Sequence, residues 1–276
     1  MIKELKKIIL LSLCISCSLL VSGQIQWLSS YSQAKEIAKK QNKLIVVDCW
    51  ANWCGPCKRM DKDVWDDEAM NVYAAKYVFV KLDLSVDFNN PDFMVKAIPK
   101  IFITDAWNEQ FENMTGYQSK SRMENLLKAY SYSVNDIYKA KIDFEKNNNV
   151  EKAVKLAMCY QESSFAKDIK ITKVLKNKSN ACFKKAEKLL KKSKNDDLFQ
   201  KVQLLSCLNK SPKKSLKIMN SCKPKSEENV NLKDAILAKV YFDLEDVEKA
   251  KEYYMKVKDY SLPYYDFLGG YRKDLN

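Results

Sequence analysis

Residues 46–60 read VVDCWANWCGPCKRM. A β-rich run, LIVVDCW from residue 44, gives way to ANW and then to GPCKRM, so the stretch predicts a buried strand, a turn and a helix start, with Cys54 and Cys57 at the join. Unpaired N–H groups at a helix N-terminus favour a thiolate. Cys54 is therefore expected to be nucleophilic near neutral pH, while Cys57, one turn inside, closes a ring with it. Zinc is a poor alternative, because the chain has no histidine and no second CxxC outside the apolar amino-terminal segment. A purely structural disulfide is another, but so short a loop constrains little chain.

Outward from this stretch, short β-rich runs alternate with helical ones. YVFVKLDLS (77–85), KIFITD (100–105) and QFENMTGY (110–117) read as strands. SSYSQAKEIAKKQNK (29–43) reads as a helix with Ala34, Ile37 and Ala38 on one face and a serine cap from Ser29, Ser30 or Ser32. Met60, Val64 and Trp65 continue the helix after CGPC, DDEAMNVYAAKY (66–77) suggests another, and SKSRMENLLKAY (119–130) closes the series. The alternation argues an α/β domain over 24–131.

Beyond Ser131 the β signal disappears, and 132–276 reads as an all-α, lysine-rich domain in which Pro212 and Pro224 are the prolines before residue 263. DAILAKVYFDLEDVEKAKEYYMKVKDYSLP (234–263) resembles a tetratricopeptide unit, with Leu237, Ala238 and Tyr241 on one helix, Ala250, Tyr254 and Val257 on the next, and Pro263 after it. Residues 136–161 and 198–222 are poorer pairs, so the expectation is a helical-hairpin array of about three to four units. An irregular helical bundle is the alternative; either offers a docking surface for a protein partner.

The formal net charge is +13, yet only Arg59, Arg122 and Arg272 are arginines and no aromatic-interleaved basic motif accompanies the lysines, so the charge reads as a solvated surface rather than a nucleic-acid site. Without histidine, chemistry rests on cysteine, carboxylate, lysine, tyrosine or backbone groups. MIKELKKIILLSLCISCSLLVSG (1–23) places Lys3, Lys6 and Lys7 ahead of an apolar run and small residues at Val21 and Gly23. It reads as a secretory signal cleaved before Gln24, delivering the chain to a periplasmic or other extracytoplasmic compartment without a stable membrane span. An uncleaved anchor is the rival, with lipidation at Cys14 or Cys17 weaker still.

VDCWANWCGPCK resembles the active-site run of the thioredoxin family. Other positions carry the same resemblance: Asp48 for the buried acid, Lys81 for the lysine beside it on the next strand, Ile98 and Pro99 for the cis-proline segment, and Gly116 for the glycine that lets a partner approach. The likeness covers residues 24 to about 131, and the lead-in and trailing segments look like the exported branch that includes the carboxy-terminal domain of membrane disulfide reductases. Cys49, Ala97 and Lys100 depart from the family's usual residues. The resemblance implies a thioredoxin fold, a central mixed sheet flanked by helices. It also implies thiol–disulfide exchange with protein or peptide disulfides, sustained by a thiol reductant or oxidant and by no cofactor or metal beyond the Cys54–Cys57 pair. Asp48, tuned by Lys81, would take the Cys57 proton, directly or through a water. Trp53, Gly55, Pro56, Ile98, Pro99 and Gly116 would form the substrate surface. The Gly-Pro dipeptide resembles the reducing end of the family.

Four further thiols, Cys159, Cys182, Cys207 and Cys222, lie in the helical half at separations of roughly one helix pair and are expected to form two structural disulfides, 159 with 182 and 207 with 222. Two functions follow. One is an exported disulfide reductase whose helical half recruits partners; the other is a binding protein in which the helical array does the work and the first domain merely presents it.

Overall fold

The structure is a computed structural model and describes residues 23–165, 169–191 and 196–258. The expected signal segment up to residue 22, with Cys14 and Cys17, and Pro263 of the last repeat lie outside them. The chain divides into two compact units, Met1–Val134 and Asn135–Asn276.

The first unit is built on a five-stranded mixed sheet: β1 (Trp27–Leu28), β2 (Leu44–Trp50), β3 (Tyr77–Asp83), β4 (Lys100–Thr104) and β5 (Gln110–Thr115), in the spatial order β1-β3-β2-β4-β5. β3 runs parallel to β1 and β2, whereas β4 is antiparallel to both β2 and β5. β2 is central and covered on both faces, which is why it reads as a nearly unbroken apolar run. Ile45, Val46, Val47 and Cys49 are fully buried, and Asp48 is the charged residue among them.

Helix α1 (Tyr31–Gln41) precedes β2. Ser30 caps it by accepting from the Gln33 N–H at 3.3 Å, and Asn42, at φ 51°, ends it in the left-handed region and turns the chain into the strand. Helix α2 (Gly55–Met60) runs into a π-helical turn, Asp61–Trp65, closed by the Asp66 N–H donating to the Asp61 carbonyl at 2.9 Å. The segment read as a further helix, DDEAMNVYAAKY, forms a 3-10 turn over Glu68–Tyr73. Met70 and Tyr73 are its buried residues, an i, i+3 pair that the three-residue turn stacks on one side. Helix α3 (Lys120–Tyr130), capped by Ser119, buries Met123, Leu127 and Tyr130.

The second unit holds seven helices among the described residues: α4 (Asn135–Lys146), α5 (Val150–Ser164), α6 (Ile169–Leu190), α7 (Asp196–Cys207), α8 (Pro212–Ser221), α9 (Glu227–Phe242) and α10 (Val247–Lys256). Its core gathers Phe183, Leu190, Val202, Leu205, Ile236 and Tyr254. Buried polar side chains tie helices together: the Gln161 amide on α5 donates to the Leu205 carbonyl of α7 at 3.0 Å, and the Ser179 hydroxyl on α6 to the Ala157 carbonyl of α5 at 2.7 Å. No helix among the described residues is long and apolar enough to cross a membrane.

The expected pairings 159–182 and 207–222 are not formed: none of Cys159, Cys182, Cys207 and Cys222 is in a disulfide. Cys182, Cys207 and Cys222 instead pack in or against the apolar core. Burial pushes the Cys159 and Cys207 thiols up to about 11, which keeps them protonated and inert. Separation by one helix pair brings two helices together, but it does not fix which face of each helix the thiols occupy, and a disulfide needs Cβ atoms within about 4.5 Å.

Candidate functional site: a dithiol at a helix start

At the end of β2 the chain turns through Ala51–Trp53, with the Cys54 N–H donating to the Ala51 carbonyl at 3.0 Å, and Cys54 becomes the N-cap of α2. Its sulfur accepts from the Cys57 N–H at 3.2 Å. Pro56 sits in the first turn, where its missing N–H costs nothing. Cys54 and Cys57 are joined in a disulfide, and both are nearly buried. They form a small apolar cluster with Ala51, against which Trp50 and Ile98 pack.

Three neighbouring segments frame the dithiol. The Ile98–Pro99 bond is cis, and the Pro99 carbonyl accepts from the Gly116 N–H at 2.8 Å. Gly116 has φ +82°. Buried Gln118 donates from Nε2 to the Thr115 and Gly116 carbonyls at 3.2 and 2.8 Å and so braces that turn from within. On the other flank Trp53 is 59% exposed, stacks on Phe88 at 6.0 Å and donates its indole N–H to the Ser85 carbonyl at 3.1 Å. The Asn52 N–H donates to Ser85 Oγ at 2.8 Å, so the turn before Cys54 is tied to the segment after β3. Lys100 donates to Asn113 Oδ1 and Thr115 Oγ1 at 2.6 and 2.7 Å. Its ammonium is therefore held along β5.

Because Gly116 has open space where a Cβ would stand, Gly116→Ala isolates backbone strain from collision. It is expected to lower stability by about 1–2 kcal/mol in chemical denaturation, the cost of the left-handed region for an L-residue. Gly55→Ala, also sterically open but outside that region, is the control and carries no such strain.

Asp48, on β2 six residues before Cys54, is paired in register with Lys81 on β3 and Ile101 on β4. Its Oδ1 is buried without a hydrogen-bond partner, as is the Trp65 indole nitrogen. The indole lies close enough to favour the carboxylate electrostatically without reaching hydrogen-bond geometry. Burial raises the Asp48 carboxyl to about 7, with Lys81 pulling it down and Asp61 pushing it up. Lys81, expected to serve Asp48, makes its ion pair with Asp61, and its ammonium lies 5.2 Å from the ring centroids of both Trp27 and Trp50. Asp61, Trp65, Ser85 and Phe88 are the neighbours that sequence reasoning did not assign to the site. For Asp61 a signal existed: it stands four residues after Cys57, one helical turn on. The cysteine in β2, Cys49, is fully buried, and its thiol is pushed up to about 12 by burial first and by the Asp48 charge second. Among the described residues no cluster of three or more Cys, Asp or Glu side chains is arranged to hold a metal.

Residues 26–106 match the Thioredoxin-like family profile. Thioredoxin from Pyropia yezoensis is 30% identical over 110 residues, a match that takes in 97% of that protein and 37% of this chain. The chain belongs to the thioredoxin family. Thioredoxin M2 of Arabidopsis thaliana, a chloroplastic protein, is 45% identical over 84 residues, covering 44% of its own length and 30% of this chain. A solved thioredoxin structure, Mala s 13 of Malassezia sympodialis, aligns at 25% identity with a TM-score of 0.32, over 40% of this chain and 93% of that one. The thioredoxin-family unit with its Cys54–Cys57 disulfide supports a thiol–disulfide oxidoreductase.

Proposed function

We propose that this chain is an exported protein-disulfide reductase, with Cys54 as nucleophile, Cys57 as resolving thiol and Asp48 as the proton acceptor. The observation that carries the reading is the dithiol at a helix start, just beyond the strand that carries a buried carboxyl raised to about 7. In the reduced chain the Cys54 thiolate attacks one sulfur of a substrate disulfide, forming a mixed disulfide and releasing the first substrate thiolate. Cys57 then loses its proton to Asp48 and attacks Cys54, which displaces the second substrate sulfur as a thiolate, returns the Asp48 proton to it and leaves the Cys54–Cys57 disulfide. The substrate gains two electrons and the chain loses two; a thiol reductant must restore them.

The cis Ile98–Pro99 segment supports a role in pairing with an extended substrate, and Trp53 with Phe88 supplies an exposed apolar surface beside the nucleophile. Export rests on the amino-terminal sequence pattern, and recruitment of a protein partner rests on the helical second unit.

The test is the equilibrium redox potential of the dithiol in the full chain, followed by turnover of a peptide disulfide. On the scale where thioredoxin stands near −270 mV and strongly oxidising relatives near −120 mV, a value below about −240 mV is expected. A value above about −180 mV would make the chain an oxidase or isomerase. Failure to cycle would leave the helical unit as the seat of function.

A further inference from the structure

Asp48 and Lys81 are paired in register on adjacent strands, an arrangement that on its own favours a direct contact. The ammonium goes elsewhere. It makes its ion pair with Asp61 and sits against the faces of Trp27 and Trp50, so three groups from three segments fix its position. The π-helical turn explains how Asp61 takes part: the wide loop closed by the Asp66 N–H on the Asp61 carbonyl lets Asp61 reach Lys81 while Trp65 stands near Asp48. Asp48 Oδ1 is left buried and without a hydrogen-bond partner.

We propose that Asp61 is a positioning residue for disulfide exchange: by capturing Lys81 it keeps the ammonium off Asp48 and leaves the Asp48 carboxyl free to take and return the Cys57 proton. The inference rests on the reductase reading above for its use, though not for its test. Among the described residues, the groups acting on Asp48 are few. Lys81 comes from β3, Asp61 and the Trp65 indole come from the π-helical turn, and β4 contributes apolar Ile101. Cys49, next along β2, points to the opposite face of the sheet. With Asp61 opposing Lys81, burial dominates, and the carboxyl is raised to about 7, where it works as both acid and base. Without Asp61 the Lys81 charge is unopposed and its flexible stem is free to turn to Asp48. The carboxylate would then stay ionised at neutral pH.

The experiment follows the Asp48 carboxyl by carbon-13 NMR titration in the oxidised full chain, with Asp48→Asn used for assignment. Asp61→Asn is expected to move the midpoint down by about one pH unit or more, and Asp61→Glu to restore it. Lys81→Met is expected to move it up, and in that background Asp61→Asn should shift it by less than half as much as it does alone. An unchanged midpoint in Asp61→Asn overturns the proposal. So does an equal shift in both backgrounds, which would make Asp61 a plain nearby charge. In the pH–rate profile for a peptide disulfide, the apparent midpoint should move with the NMR value. Because the titration needs no substrate, a chain that reduces no disulfide would refute the functional reading while leaving the Asp61 result to stand by itself.

Discussion

Cys54→Ser reduces disulfide turnover by at least about three orders of magnitude, since a hydroxyl at this position has no thiolate form for the helix N-terminus to favour. Cys57→Ser behaves differently. It keeps the first chemical step and loses the second, so it accumulates a mixed disulfide between Cys54 and the substrate, readable by mass spectrometry as one added peptide removed by reductant. The asymmetry follows from position. Cys54 is the cap of α2, its sulfur already accepting from the Cys57 N–H, whereas Cys57 lies one turn inside the helix. If Cys57→Ser turned over normally, or if Cys54→Ser trapped substrate in place of Cys57→Ser, the assignment of roles would be wrong.

Asp48→Asn lowers turnover by about two orders of magnitude near pH 7, the lower end of what a positioned acid–base group contributes. The same change raises stability, and the pH dependence has a definite sign. The Asp48 carboxyl is raised in the folded chain from an ordinary 3.8 to about 7, chiefly by burial. Below 3.8 both folded and unfolded chains hold its proton, and Asp48 has no pH-linked penalty. Between 3.8 and about 7 the unfolded chain releases the proton while the folded chain keeps it, so stability falls with rising pH, by about 4 kcal/mol across the whole window. Above about 7 the loss is complete. Oxidised Asp48→Asn should therefore exceed the parent in denaturant resistance by up to that amount at pH 8, with the gap closing by pH 3. A gap that stayed constant over this range would mean that the carboxyl does not titrate inside the fold.

A stability penalty of this size at a central strand position is a reason to read Asp48 as functional. A hydrocarbon side chain would serve the sheet better, as Val46 and Val47 do beside it, and a buried acid without a full set of partners persists where its proton is used. The Cys54–Cys57 unit follows the same logic, because a helix start leaves N–H groups for a thiolate as well as for a carbonyl.

Local patterns in the sequence determined strands β2 to β5 and the placement of the dithiol, while the two-residue β1 carried no such pattern. LIVVDCW could be read as a buried central strand because its apolar run has the length and β-branched content that two covered faces require, and CGPC after it marks a helix start through Pro56 and the cysteine cap. Cis Ile98–Pro99 and Gly116 were legible through the family resemblance alone. The tertiary structure decided the rest. It alone showed that Lys81, neighbour of Asp48 in register, is held by Asp61, because a flexible lysine chooses among acids by where a helix turn places them and strand pairing does not fix that choice. It likewise showed the four helical thiols outside any disulfide, since sequence spacing sets which helices meet, while the rotation of each helix sets whether two sulfurs do.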